Sequence, residues 1–327
     1  SNSFGNEDIS AIALYGNEVW SATAHSVEKS GENLPEGSGY RYSSDGGITW
    51  TSIAQPLDNQ NDTVVSYGKN KIKALPVTVS IQNLTYDLAI NKSGIWAASF
   101  AGGLRRSTDS GKNWQRIVLP PDYLSEITPD SSYSFSLSPV AGKFSKESNL
   151  NHRLFSVIAP YDSLIVAGTA AGINISTDTG KSWKKYKFTN GITGNFIVAL
   201  AFEKASESLW AASWQAEGTN EYNGISATFD LGQSWKTFLP GKKIHNISTA
   251  YDEAKGISFI IAAGTDGLFV TTDNGESWTE AGIINPDGFV PEYGQIRYYS
   301  SAVSSLSPDI VWAGTSSFGV MKFSGNA

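Results

Sequence analysis

Residues 176–183 read STDTGKSW, and the chain writes the phrase four more times: SSDGGITW at 43–50, STDSGKNW at 107–114, TFDLGQSW at 228–235 and TTDNGESW at 271–278. Ser or Thr, Asp, Gly and Trp keep their places while the positions between them drift. The aspartates Asp45, Asp109, Asp178, Asp230 and Asp273 are 64, 69, 52 and 43 residues apart, and a glycine stands six residues before each (Gly39, Gly103, Gly172, Gly224, Gly267). A repeat at such a period governs the reading of everything else.

Upstream of each glycine lies a second signature: VWSAT at 19–23, IWAAS at 95–99, IVAGT at 165–169, LWAAS at 209–213, IAAGT at 261–265 and VWAGT at 311–315. It occurs six times. The sixth copy runs into GVMKFSG at 319–325, where Gly325 replaces the aspartate. Short β-rich runs between turn signals at this spacing predict four antiparallel strands per unit, A to D. Four-stranded sheets repeated around an axis make an all-β propeller, with six blades expected and seven as the alternative. The small pairs of strand B, such as Ala97-Ala98 and Ala167-Gly168, suit sheets that converge. Residues 1–327 are read as one propeller domain, its last blade either closed by residues 1–8 or truncated.

Within the octapeptide, Asp is placed to accept backbone N–H groups of a tight turn. Gly supplies a positive φ, and Trp50, Trp114, Trp183, Trp235 and Trp278 cover the sheet with an indole. The reading is structural. S/T-x-D-x-G-x-x-W resembles the Asp-box, or BNR, repeat found in sialidases, oligoxyloglucan hydrolases, sortilin-type receptors and the photosystem II assembly factor. The resemblance implies the fold; it leaves function open, because the repeat serves hydrolases, receptors and assembly factors alike.

Composition narrows the function classes. The net charge is −7 over 327 residues, which disfavours nucleic acid or an anionic membrane surface as partner. No apolar run is long enough to span a bilayer. With no cysteine and three scattered histidines (His25, His152, His245), neither a metal site nor a cofactor is expected. Charged residues make up 17%, with Ser, Thr, Asn and Gly in their stead, which reads as a secreted or periplasmic β protein; a monomer is expected.

In an up-and-down blade the A–B turns and the boxes share one end, and the B–C loops and D–A crossings share the other. The long segments 24–38, 55–83, 120–150, 214–223 and 285–299 are all assigned to the second end, where loops beyond structural need carry function. Trp214 lies outside both tryptophan patterns and is either an exposed binding indole or a plug at the base of its loop. Glu217, Tyr222, Arg297, Tyr298 and Tyr299 are placed beside it. The resemblance to sialidases implies an arginine triad, with an R-I-P motif on the first inner strand. That strand reads ISAIALYG (9–16), and only Arg153 and Arg297 lie near a D–A crossing. A two-carboxylate glycosidase could draw on Glu28, Glu32, Asp122, Glu126, Glu217, Glu221, Asp287 or Glu292. The residues favour a non-catalytic propeller binding a protein or carbohydrate, with a glycoside hydrolase as the alternative.

Overall fold

The computed structural model describes residues 4–137, 149–216, 219–281 and 296–324. They form two compact units, 1–185 and 186–327. Unit 1 carries three blades. Blade 1 is Asp8–Tyr15, Glu18–Lys29, Glu32–Ser43 and Thr51–Ile53. Blade 2 is Thr85–Asn91, Gly94–Ser99, Gly103–Ser107 and Gln115–Arg116. Blade 3 is Leu154–Ile158, Ile165–Thr169, Gly172–Ser176 and Trp183–Tyr186, with Glu126–Ile127 added as a fifth, outermost strand. Unit 2 holds blade 4 (Phe196–Glu203, Ser208–Trp214, Gly224–Thr228, Lys236–Phe238), blade 5 (Ile244–Asp252, Ile257–Gly264, Gly267–Thr271, Thr279–Glu280) and blade 6. Blade 6 has three described strands, Tyr298–Ser304, Ser307–Thr315 and Val320–Ser324. Among the described residues no helix is long and apolar enough to cross a membrane.

The box is a type I′ turn. Glycines 47, 111, 180, 232 and 275 have φ of 91, 80, 78, 93 and 89°, and the residues before them (Gly46, Ser110, Thr179, Leu231, Asn274) are left-handed as well. Two successive positive φ values match the twist of the strands being joined. Asp45 Oδ1 accepts the Thr49 N–H at 2.9 Å and the Ser43 hydroxyl at 2.7 Å, while Ser43 Oγ accepts the Gly47 N–H at 2.8 Å. The same set recurs around Asp109, Asp178, Asp230 and Asp273. These bonds favour the ionised carboxylate and hold Asp45, Asp109, Asp230 and Asp273 down at about 2.

Within each unit, the box of one blade meets the sheet before it. A Cβ on Gly111 would lie 2.7 Å from the Trp20 indole of blade 1, and one on Gly180 would lie 2.8 Å from Trp96 of blade 2. Trp20, Trp96 and Trp210 are accordingly fully buried. Trp312, the blade 6 equivalent, is 47% exposed, and no described box follows it in unit 2.

Three of the five long segments depart from the expected loops. Segment 24–38 is no loop: strands B and C of blade 1 run on as a ribbon, from Ala24↔Gly37 to Lys29↔Glu32, closed by Ser30-Gly31. His25 and Glu36 pair across it at 3.2 Å. Segments 55–83 and 120–150 fold together. Val64–Tyr67 and Asn70–Ala74 form a hairpin, and Ser136–Leu137 joins it in parallel at Lys73 and Ala74. Their apolar residues Ile72, Ile127 and Leu137 enter the same core as Trp183. The Tyr67 hydroxyl donates to the carbonyl of Lys181, in the third box. The hairpin, Glu126–Ile127 and Ser136–Leu137 therefore cover the outer edge of blade 3 at its box, while Asn83 accepts the Gly102 N–H and Asp122 those of Leu150 and Asn151 at the other end.

Two predictions follow from the turn. Leu231 takes a left-handed φ of 53° with its side chain partly exposed, so Leu231→Gly should raise stability in urea unfolding by about 1 kcal/mol. An unfolded Asp titrates near 3.8 and Asp45, Asp109, Asp230 and Asp273 near 2, so each of these four boxes contributes stability above pH 4 that is lost as pH falls toward 2. Asp273→Asn should flatten the fall in melting temperature over that window, and an unchanged slope would refute the assignment.

Candidate binding site: an aromatic ledge on strand-A bulges

All six inner strands carry a bulge at the same register. In blade 2 Thr85 pairs with Ser99 and Asp87 with Ala98, leaving Tyr86 over. The equivalent unpaired residues are Ser10, Phe155, Val198, His245 and Tyr299. Each bulge faces the small residues at the end of strand B, at the blade end opposite the A–B turn and the box. A bulge re-aims one side chain. Here it turns three aromatic rings and one imidazole out of the sheets.

In unit 2 these groups meet. The His245 ring is 4.9 Å from Tyr299 and 5.2 Å from Trp214, both edge to face. Trp214, at the end of strand B of blade 4, also meets Phe196 at 5.8 Å. Its Nε1–H donates to the Ile244 carbonyl at 2.6 Å, and the Lys243 ammonium sits 4.2 Å from its ring centroid. His245 Nε2 is 2.8 Å from Thr265 Oγ1. Burial first, then the charges of Lys243 and Arg297, push its proton affinity below the ordinary imidazole value. The ledge therefore runs Phe196, Trp214, His245, Tyr299 across three blades, with Tyr299 48% exposed at its end.

The expected site residues divide. Trp214 is half-buried and bonded rather than a free indole. Arg297 is exposed beside the ledge. Tyr298 points the other way into the core against Phe323, because alternation along the strand sends Tyr298 inward and the bulge sends Tyr299 out. Tyr222 is half-buried, its N–H donating to the Thr193 carbonyl. Glu217, Asp287 and Glu292 lie outside the described residues. Glu221 is buried and accepts both the backbone and side-chain N–H of Asn195. Asp122 accepts the Leu150 and Asn151 N–H groups. Glu28 and Glu32 stand on the blade 1 ribbon, and Glu126 pairs with Lys184 at the edge of blade 3. Arg153 is buried with its guanidinium 5.2 Å from the centre of the Phe100 ring.

Unit 1 gathers a smaller cluster of the same origin, with Tyr86 on Phe155 at 5.1 Å and Phe155 near Phe100 at 6.0 Å. Asp87 follows the Tyr86 bulge and accepts the Val157 N–H of the next blade at 2.9 Å. Desolvation outweighs that bond and the one from Leu88, and raises its carboxyl to about 7. The sequence offered no sign of this, since an Asp between Tyr and Leu on a strand reads as a surface residue. An unfolded Asp ionises near 3.8 while this one keeps its proton to about 7, so it lowers stability as pH rises between those values. Asp87→Asn keeps an oxygen for Val157. It should raise the melting temperature at pH 8 and leave it unchanged at pH 4; a loss at both would make the carboxylate itself the clasp.

Residues 41–52 match the BNR/Asp-box repeat. A probable oligoxyloglucan-reducing end-specific xyloglucanase of Neosartorya fischeri is 22% identical over 268 residues, spanning 76% of this chain and 28% of that protein. Among solved structures, YCF48 bound to D1 peptide superposes with a TM-score of 0.53 at 15% identity, covering 98% of this chain and 80% of that one. The GH74 enzyme of Niastella koreensis superposes with a TM-score of 0.57 at 15% identity, covering 96% and 44%. Taken with the five boxes and the four-stranded sheets, these similarities show a β-propeller fold that carries the Asp-box repeat.

Proposed function

We propose that this is a non-catalytic binding propeller that works outside the cytoplasm and captures a protein or glycan partner on the strand-A-start end of unit 2. The observation carrying the reading is the ledge. A bulge in each of two neighbouring blades turns His245 out onto Trp214 and Tyr299 out onto His245, and a ridge of aromatic rings is an anchoring surface. The described acids Glu221 and Asp122 support the same reading, since each is engaged with backbone N–H groups. Likeness to a propeller solved with a bound peptide agrees with it at the level of fold. The export reading rests on the sparse charge and the polar uncharged surface.

One observation favours a second reading, a glycoside hydrolase. Burial raises the Asp87 carboxyl to about 7, within the range a general acid uses, and the fungal relative is named as a xyloglucanase. A partner carboxylate about 5–10 Å away would be required.

Peptide and glycan arrays probed with the wild-type protein and Tyr299→Ala test the choice. The variant should lose about tenfold in affinity for retained ligands, with the melting temperature held within about 2 °C because half the ring is already in water. Release of sugar from xyloglucan oligosaccharides or sialosides, abolished by Asp87→Asn, would replace the binder with the hydrolase.

A further inference from the structure

We infer that the partner meets this ledge with an acidic peptide segment, its carboxylates taken by Lys243 and Arg297 and a neighbouring apolar side chain covered by Tyr299. The inference rests on the binding reading above and narrows its ligand class. Three observations carry it.

The first concerns Trp214. Its N–H is committed to the Ile244 carbonyl, Phe196 and His245 meet it edge to face, and Lys243 stands over its ring. A sugar would need the face that the ammonium holds. The indole instead fixes a flexible lysine in place, and a cation held over an aromatic ring loses less freedom when a carboxylate arrives.

The second concerns charge. The protein is acidic overall, yet the charges acting on His245 are those of Lys243 and Arg297, both cations and both exposed. Among the described residues neither forms an ion pair; the pairs present join His25–Glu36, Arg41–Glu7, Asp58 with Arg105 and Arg116, and Lys255–Asp252. Glu221 at this end is already held by Asn195.

The third is position. Lys243 precedes strand A of blade 5 and Arg297 precedes strand A of blade 6, so the cations flank the His245–Tyr299 pair. Exposed cations beside an exposed ring fit a segment in which acidic and apolar residues alternate.

The test uses fluorescein-labelled Gly-Ser peptides bearing one Leu and a run of either glutamates, lysines or neither, titrated by anisotropy. The glutamate peptide should bind at least tenfold more tightly than the neutral one at low salt, to within about a factor of three, and lose that advantage as salt rises. The double variant Lys243→Glu, Arg297→Glu should reverse the preference toward the lysine peptide. Both side chains are exposed, so thermal melting should be unchanged. Lys243→Glu alone should raise the His245 titration midpoint in NMR, a readout independent of any ligand. Equal affinities, no binding of the glutamate peptide, or a preference surviving the double variant overturns the inference. Tighter binding of polygalacturonate than of any peptide overturns it too, in favour of an acidic glycan. If acidic and neutral peptides bind alike and Tyr299→Ala removes both, the ledge reading stands and the acidic specificity falls. If Tyr299→Ala changes nothing, the ledge reading falls.

Discussion

An indole lies where the Cβ of a box glycine would be. Trp20 leaves 2.7 Å for that atom at Gly111 and Trp96 leaves 2.8 Å at Gly180, so any larger residue would push one blade off the next. A buried tryptophan is worth several kcal/mol, about 3–5 on truncation, and its environment here comes from the neighbouring repeat. The octapeptide is thus two devices in one. Its Asp and Ser/Thr close a left-handed turn on itself, and its Gly clears space for the preceding sheet. Gly275 against Phe238 shows the same relation in unit 2, with a Cβ 2.6 Å from the phenyl ring.

The bulge is the second recurring device, and it faces the other end of each blade. One extra residue in every strand A breaks the alternation that would otherwise bury it. The fold can spare that residue, since the ladder resumes on either side. Blades 1 and 4 spend it on Ser10 and Val198; blades 2, 3, 5 and 6 carry Tyr86, Phe155, His245 and Tyr299 there. The boxes keep the architecture constant while the bulges vary what it presents. Asp87 and Asn246 each stand one residue past a bulge, and their side-chain oxygens clasp the next inner strand at Val157 and Ser301. The surface-bearing residue and the inter-blade clasp are therefore sequence neighbours.

Parts of this were open to reading from the residues. The D-x-G turn, the blade repeat and the end of each blade that bears the box could be seen, because each rests on local chemistry repeated in register. Trp214 was singled out by being the tryptophan that fits neither pattern. His245 was passed over as a lone histidine, and Tyr299 was ranked with Tyr298 although the two face opposite ways. A bulge has no compositional signature: IHN and YYS read as ordinary strand. The middle parts of segments 55–83 and 120–150, read as loop, form strands for a related reason. Each is polar enough to pass for a loop, and the apolar residues Ile72, Ile127 and Leu137 form a layer only when the two segments meet on blade 3.

The sequence by itself determined the repeat, the turn at each box and the all-β class, since hydrogen bonds spanning two to four residues and a fixed spacing of small and apolar positions suffice for those. Tertiary structure decided which side chains share a surface. Phe196, Trp214, His245 and Tyr299 are separated by up to about a hundred residues, and strand pairing with one unpaired position per inner strand brings them within van der Waals reach. Proton affinities followed the same division. The box aspartates are set by their own turn, whereas Asp87 and His245 answer to burial and to charges that only the folded chain brings near.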